Sequence, residues 1–66
     1  MLASNFKKNL KTQRTKRGLT QEEVANKAGV SVSYISMLER GSRCPPLDTL
    51  ETLAAALGTT PIALLS

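Results

Sequence analysis

Apolar side chains recur every three or four residues along most of this 66-residue chain, which is the spacing of one face of an α-helix. Glycine or proline interrupts the pattern where each helix is expected to end. The pattern predicts five short helices, at about residues 3–17, 20–28, 32–40, 47–57 and 61–65. Little sequence is left over, so the predicted fold class is all-α, a compact bundle of five short helices.

The second and third predicted helices are joined by a very short turn. Thr20 and Glu23 have the spacing of a capping box, which starts the second helix, and Gly29 ends it. Ser31 is placed to cap the third helix two residues later. Two short helices joined by a tight turn with glycine form a helix-turn-helix unit. Because both helices are short, they must pack on the others to be stable.

The first predicted helix carries a charge where an apolar residue is expected. Phe6, Leu10, Gln13 and Arg14 fall on one face at helical spacing. An unpaired charge on the core side of a helix is costly, so Arg14 needs a partner.

Composition narrows the classes of function. With one cysteine, Cys44, and no histidine, the sequence offers neither an internal disulfide nor a zinc cluster, and no cofactor is expected. There is no phosphate-binding glycine loop and no catalytic cluster, so we expect neither an enzyme nor a small-molecule ligand. No apolar run approaches the roughly 18 residues of a membrane span, and we expect a soluble cytoplasmic protein with no membrane partner.

The net charge of +4 is unevenly distributed. Residues 1–21 contain six basic residues and no acidic one, whereas residues 44–66 contain two acidic residues and no basic one. The basic end favours a polyanionic partner, nucleic acid above all. A solvated lysine-rich helix face without any partner is the alternative that charge alone leaves open.

Three short motifs resemble one known family in their order and spacing. They are Leu-Thr-Gln at 19–21, Ala-Gly-Val-Ser at 28–31 and Leu-Glu-Arg-Gly at 38–41. Together they resemble the helix-turn-helix domain of the phage lambda repressor and Cro family, the xenobiotic-response-element (XRE) type of bacterial regulators. The resemblance continues to Gly58 and implies a single helix-turn-helix domain over residues 1–66. It also implies a transcriptional regulator, a repressor that binds an inverted-repeat operator in double-stranded DNA as a homodimer.

The resemblance makes the third helix, residues 32–40, the one that lies in the major groove with its early residues at the base edges. Its expected core residues are Ile35 and Leu38, and the predicted base contacts are Val32, Ser33, Ser36 and Met37. None of these is Arg, Asn or Gln, so we expect apolar contact with thymine methyl groups, supplemented by DNA shape. The alternatives are that Met37 packs against its neighbours and that Val32 is partly buried against the turn.

Polar residues around the reading helix are the predicted phosphate contacts: Thr20, Gln21, Ser31, Tyr34, Arg40, Ser42 and Arg43. Gln21 resembles the glutamine typical of that position in the family, with an exposed first-turn residue as the alternative. For Tyr34 the alternative is a half-buried ring with a solvated hydroxyl. The resemblance also implies that Arg14 pairs with Glu39, a structural ion pair that holds the third helix to the first.

Some interpretations stay open at the level of sequence. Ile62, Leu64 and Leu65 either form an apolar dimer patch or close the core. The competing functions are a protein-interaction or antitoxin-like module and the DNA-binding fragment of a longer, ligand-sensing regulator. Salt-sensitive binding to duplex DNA separates the first of these from a DNA-binding protein.

Overall fold

The computed structural model describes the backbone of residues 2–66 and the side chains from Asn5 onward. Within this range the fold is all-α, as predicted, and no strand is present. Its helices are α1 (Leu2–Lys16), α2 (Gln21–Ala28), α3 (Val32–Arg40), α4 (Leu47–Leu57) and α5 (Pro61–Leu65). The last three have the predicted bounds. α1 begins and ends one residue earlier than predicted, and α2 begins one residue later because Thr20 is its N-cap.

The predicted caps are present at the helix ends. Thr20 and Glu23 form a reciprocal capping box, in which the Glu23 amide donates to Thr20 Oγ1 over 3.0 Å and the Thr20 amide donates to Glu23 Oε1 over 2.8 Å. Ser31 Oγ accepts from the Tyr34 amide over 3.0 Å. Between these caps Gly29 has a φ of 70°, a left-handed backbone conformation that residues with a Cβ rarely adopt. The caps therefore fix the turn that joins α2 to α3.

One apolar core connects all five helices. α1 packs on α3 and α5, α2 packs on α3 and α4, and α4 packs on α5. The buried residues of this core are Phe6, Leu10, Val24, Ala25, Ile35, Leu38, Leu50, Leu53, Ala54, Leu57 and Leu64. Because α3 contributes Ile35 and Leu38 to this core, its opposite side is left free.

Leu47 departs from the expected pattern of α4. The sequence places it on the same face as Leu50 and Leu53, yet it is 68% exposed. Side chains of a helix lean toward its N-terminus, so the side chain of the first residue reaches past the helix start. Leu47 therefore extends beyond the core instead of into it.

The two leucines at opposite extremes of exposure in α4 provide a test of the core. Leu53→Ala removes a side chain with no exposed surface and should lower the free energy of unfolding by about 2–5 kcal/mol. Leu47→Ala is the matched control and should change it by less than about 0.5 kcal/mol. Urea unfolding followed by circular dichroism measures both. Similar losses in the two variants would contradict this packing of α4.

Candidate nucleic-acid interface

The helix predicted to read DNA has a buried face and an open face. Ile35 and Leu38 have no exposed surface. On the other side Val32 is 45% exposed and Ser33 is exposed. Ser36 and Met37 are half-buried. The structure thus brings the four predicted base contacts together on α3, with Val32 and Ser33 the most open to a partner.

Arg14 and Glu39 are paired as the resemblance implies. Arg14 Nε donates to Glu39 Oε2 over 2.6 Å, and Arg14 Nη2 donates to Glu39 Oε1 over 3.1 Å. Their side chains are only 12% and 5% exposed. The hydrogen bond to Glu39 raises the pKa of Arg14 above its ordinary value, although desolvation acts in the opposite direction. The pair is therefore a two-pronged, charge-assisted contact between α1 and α3.

Two further hydrogen bonds extend this pair to the start of α2. Arg14 Nη1 donates to the Leu19 carbonyl over 2.9 Å. Gln21 Nε2 donates to Glu39 Oε1 over 3.2 Å. We refer to Arg14, Leu19, Gln21 and Glu39 as the Arg14–Glu39 network. It joins α1, the turn after it, α2 and α3.

The contact between Gln21 and Glu39 is absent from the sequence-based prediction, which gives Gln21 a phosphate contact or, as the alternative, an exposed position in the first turn of α2. No periodic pattern connects the first residue of α2 with the penultimate residue of α3, so the sequence carried no signal for it. An amide nitrogen has two N–H donors, and Glu39 uses one of them. The half-buried Gln21 therefore retains a donor for a phosphate.

The other predicted phosphate contacts lie at the N-terminus of α2, in the first turn of α3 and after the C-terminal end of α3. Thr20 and Ser31 are exposed, and their hydroxyl oxygens already accept the capping hydrogen bonds. Each hydroxyl still has its proton to donate. Tyr34 is half-buried and packs against the core. The caps of α2 and α3 therefore combine a local structural role with an available donor.

The residues after α3 are more open. Arg40, Ser42 and Arg43 are all exposed. Arg40 Nη1 donates to Ser36 Oγ over 2.9 Å, so its guanidinium folds back by one turn along α3. This end of the reading helix therefore presents two cations.

Neither a metal site nor a membrane span is found in the part of the chain that the structure describes. There, no three residues among His, Cys, Asp and Glu lie close enough to hold a metal ion. No helix in the same range is both long and apolar enough to cross a membrane.

A family model described as helix-turn-helix matches residues 10–65, which include all of α2, α3, α4 and α5. The chain belongs to the helix-turn-helix family. It is of the lambda repressor or XRE type, so the resemblance drawn from the three motifs is confirmed. Members of this family are DNA-binding transcriptional regulators and repressors, which confirms the predicted class of function.

Individual members of the family are similar to this chain over different fractions of their own length. An HTH-type transcriptional regulator of Sinorhizobium fredii, y4dJ, is 44% identical over 66 residues, which are 100% of this chain and 80% of that protein. The immunity repressor protein of Bacillus phage phi105 is 47% identical over 49 residues, which are 74% of this chain but only 34% of that protein. The chain thus spans about a third of this repressor.

Solved structures of helix-turn-helix proteins superpose closely on the fold. The restriction-modification controller protein C.AhdI of Aeromonas hydrophila aligns with a TM-score of 0.89 at 37% identity. The alignment covers 94% of each chain. The predicted all-α fold of lambda repressor type is therefore confirmed.

The Arg14–Glu39 pair can be tested by double substitution. Arg14→Met or Glu39→Leu alone leaves a nearly buried charge without its partner and should lower the free energy of unfolding by about 3–5 kcal/mol. The double variant Arg14→Met/Glu39→Leu should be more stable than either single variant, because no unpaired charge remains. Urea unfolding measures the cycle. Additive losses in the double variant would show that the two side chains are not coupled.

Proposed function

We propose that this helix-turn-helix protein is a cytoplasmic, sequence-specific transcriptional regulator that places α3 in the major groove of double-stranded DNA. The main support is the geometry of α3, whose inner face is buried in the core while Val32 and Ser33 are open. The Arg14–Glu39 network holds its other end against α1 and α2. An α-helix about 10–12 Å in diameter fits a major groove about 12 Å wide.

The proposed base contacts are Val32, Ser33, Ser36 and Met37. Val32 is the most favourable candidate for a thymine methyl group, because it is an aliphatic side chain 45% exposed near the start of α3. Met37 is half-buried, so it has less surface to offer. Serine hydroxyls hydrogen-bond several base edges and discriminate little between them. Direct readout is therefore modest, and DNA shape supplies part of the specificity.

The proposed phosphate contacts lie at the start of α2 (Thr20, Gln21), in the first turn of α3 (Ser31, Tyr34) and at and after the C-terminal end of α3 (Arg40, Ser42, Arg43). Such contacts fix the register and orientation of a protein on the duplex without reading its sequence. Their position on both sides of the reading helix supports contacts with the two strands that border the groove. We also infer that residues 1–66 act as one DNA-binding domain, since a single core joins the helices from α1 to α5. The similarity to a family of DNA-binding transcriptional regulators supports a protein without catalytic activity.

We further propose repression by operator occupancy, with two copies on an inverted repeat. The similarity to a phage immunity repressor supports repression instead of activation. In a two-fold dimer on DNA, the half-site centres lie about one helical turn apart, roughly 34–36 Å. Of the three apolar residues proposed for a dimer patch on α5, Leu64 is buried in the core and Leu65 is half-buried, whereas Ile62 is 76% exposed. Ile62 is therefore the residue on which such a patch would be centred.

Selection from a random pool of DNA duplexes at near-physiological salt tests the proposed function. We expect enrichment of an inverted repeat with T-rich half-sites, because the open face of α3 offers methyl groups instead of bidentate hydrogen bonds. Val32→Ser should relax the preference for T at one position of each half-site, and Met37→Ala should have a smaller effect. Circular dichroism of each variant establishes that it is folded.

Other outcomes of the selection separate the competing functions. Weak, unspecific binding confined to low salt would favour a DNA-binding fragment of a longer regulator. No binding at any salt concentration by a folded protein would contradict the DNA-binding function and favour a protein-interaction or antitoxin-like module.

Self-association can be tested on two exposed apolar residues. We expect sedimentation equilibrium without DNA to show a concentration-dependent dimer that Ile62→Glu abolishes, because a charge would be buried at the interface. Leu47→Glu introduces the same charge at another exposed aliphatic residue, 68% exposed, and should leave the dimer intact. A monomeric wild type, or equal dimerisation of both variants, would exclude Ile62 as the dimer contact.

A further inference from the structure

α1 passes close to the C-terminal end of α3 at Gly41. This glycine has a φ of 80°. A Cβ added at Gly41 would lie 2.7 Å from Lys7 Cδ, 3.6 Å from Lys7 Cε and 3.4 Å from Lys7 Nζ. The lysine side chain therefore lies directly over the backbone that ends α3, in the space that a side chain at position 41 would need.

The position of Lys7 adds a cation to the end of the reading helix. Gly41 lies in the chain between Arg40 and Ser42, and Arg43 follows; all of these residues are exposed. Lys7 is itself exposed, so its ammonium group remains accessible to a ligand. The ammonium of Lys7 therefore lies beside the chain segment that also carries Arg40 and Arg43. A surface of this kind suits a polyanion that passes the end of α3.

Attraction to the helix terminus offers a second explanation for the position of Lys7. The C-terminal carbonyl groups of a helix carry partial negative charge and favour a nearby ammonium. In α3, however, the Gly41 amide donates to the Leu38 carbonyl over 3.2 Å, and the Ser42 amide donates to the Met37 carbonyl over 2.9 Å. These two carbonyls already have backbone donors. The ammonium group has three N–H donors, so it can favour the helix terminus and still donate to a further acceptor.

We propose that Lys7 is a DNA phosphate contact supplied by α1, and that it binds, with Arg40 and Arg43, the strand passing the C-terminal end of α3. This inference rests on the proposed function of α3 as the reading helix. The stem of Lys7 packs over Gly41, which restricts the lysine before DNA arrives and lowers the entropy lost on binding. Lys7 positions the protein on the duplex and carries no sequence information.

The salt dependence of DNA binding tests this role. Lys7→Met keeps most of the stem and removes the charge. It should reduce the magnitude of the slope of log Kobs against log salt by about 0.9 for each bound chain. Affinity should fall by similar factors on the selected duplex and on an unrelated one. Lys7→Arg keeps the charge and should keep the slope.

Lys8→Met is the matched control, since it removes the same charge from the next residue, which points about 100° further around α1. Its slope should equal that of the wild type. Equal slopes for Lys7→Met and Lys8→Met, with normal binding by the wild type, would overturn the inference and leave the DNA-binding function intact. A fall in thermal stability of Lys7→Met with no change in slope would also overturn it, because Lys7 would then serve only the helix terminus. Absence of any salt-dependent binding by the wild type would overturn both proposals.

Discussion

The orientation of α3 depends on the ion pair between Arg14 and Glu39. A nearly buried pair gains little net free energy, because the attraction between its charges roughly offsets the cost of removing them from water. Its contribution is geometric. The planar guanidinium meets the carboxylate at two atoms and the Leu19 carbonyl at a third, so α1 and α3 are held in one mutual arrangement. Because Gln21 binds the same carboxylate, the start of α2 is held in that arrangement too.

The small apolar core explains why such a polar network is useful in this protein. Aliphatic side chains such as Leu10, Leu38 and Leu53 fill the interior, and the chain has only one Phe and one Tyr. Aliphatic packing is non-directional and tolerates small rotations between helices. Hydrogen bonds and caps are directional, and here they lie at the ends of α2 and α3, where the angle between these helices is set. The core thus provides the stability, while the polar contacts provide the orientation.

Most of the fold could be predicted from local signals, but contacts between helices could not. The capping residues Thr20 and Ser31 accept hydrogen bonds from amides three positions away, so these caps can be predicted from residues that are close in sequence. The Arg14–Glu39 pair is predictable for another reason, since it follows from a charge on an apolar face together with the family resemblance. The bond from Gln21 to Glu39 and the position of Lys7 over Gly41 join residues that no periodicity connects. The exposure of Leu47 depends on where the core ends in space, which helical spacing alone does not specify.

The residues on the open face of α3 require the scaffold to position this helix accurately. An arginine that reads guanine forms two hydrogen bonds and can adjust through several rotatable bonds. The stiff, short side chain of Val32 has no such freedom, and a gap of about 0.5–1 Å already removes a quarter to a half of its attraction to a methyl group. Under the proposed function, discrimination therefore depends on how accurately the scaffold and the phosphate contacts place α3 in the groove. A reading helix without long polar side chains needs a rigid attachment, and the Arg14–Glu39 network provides one.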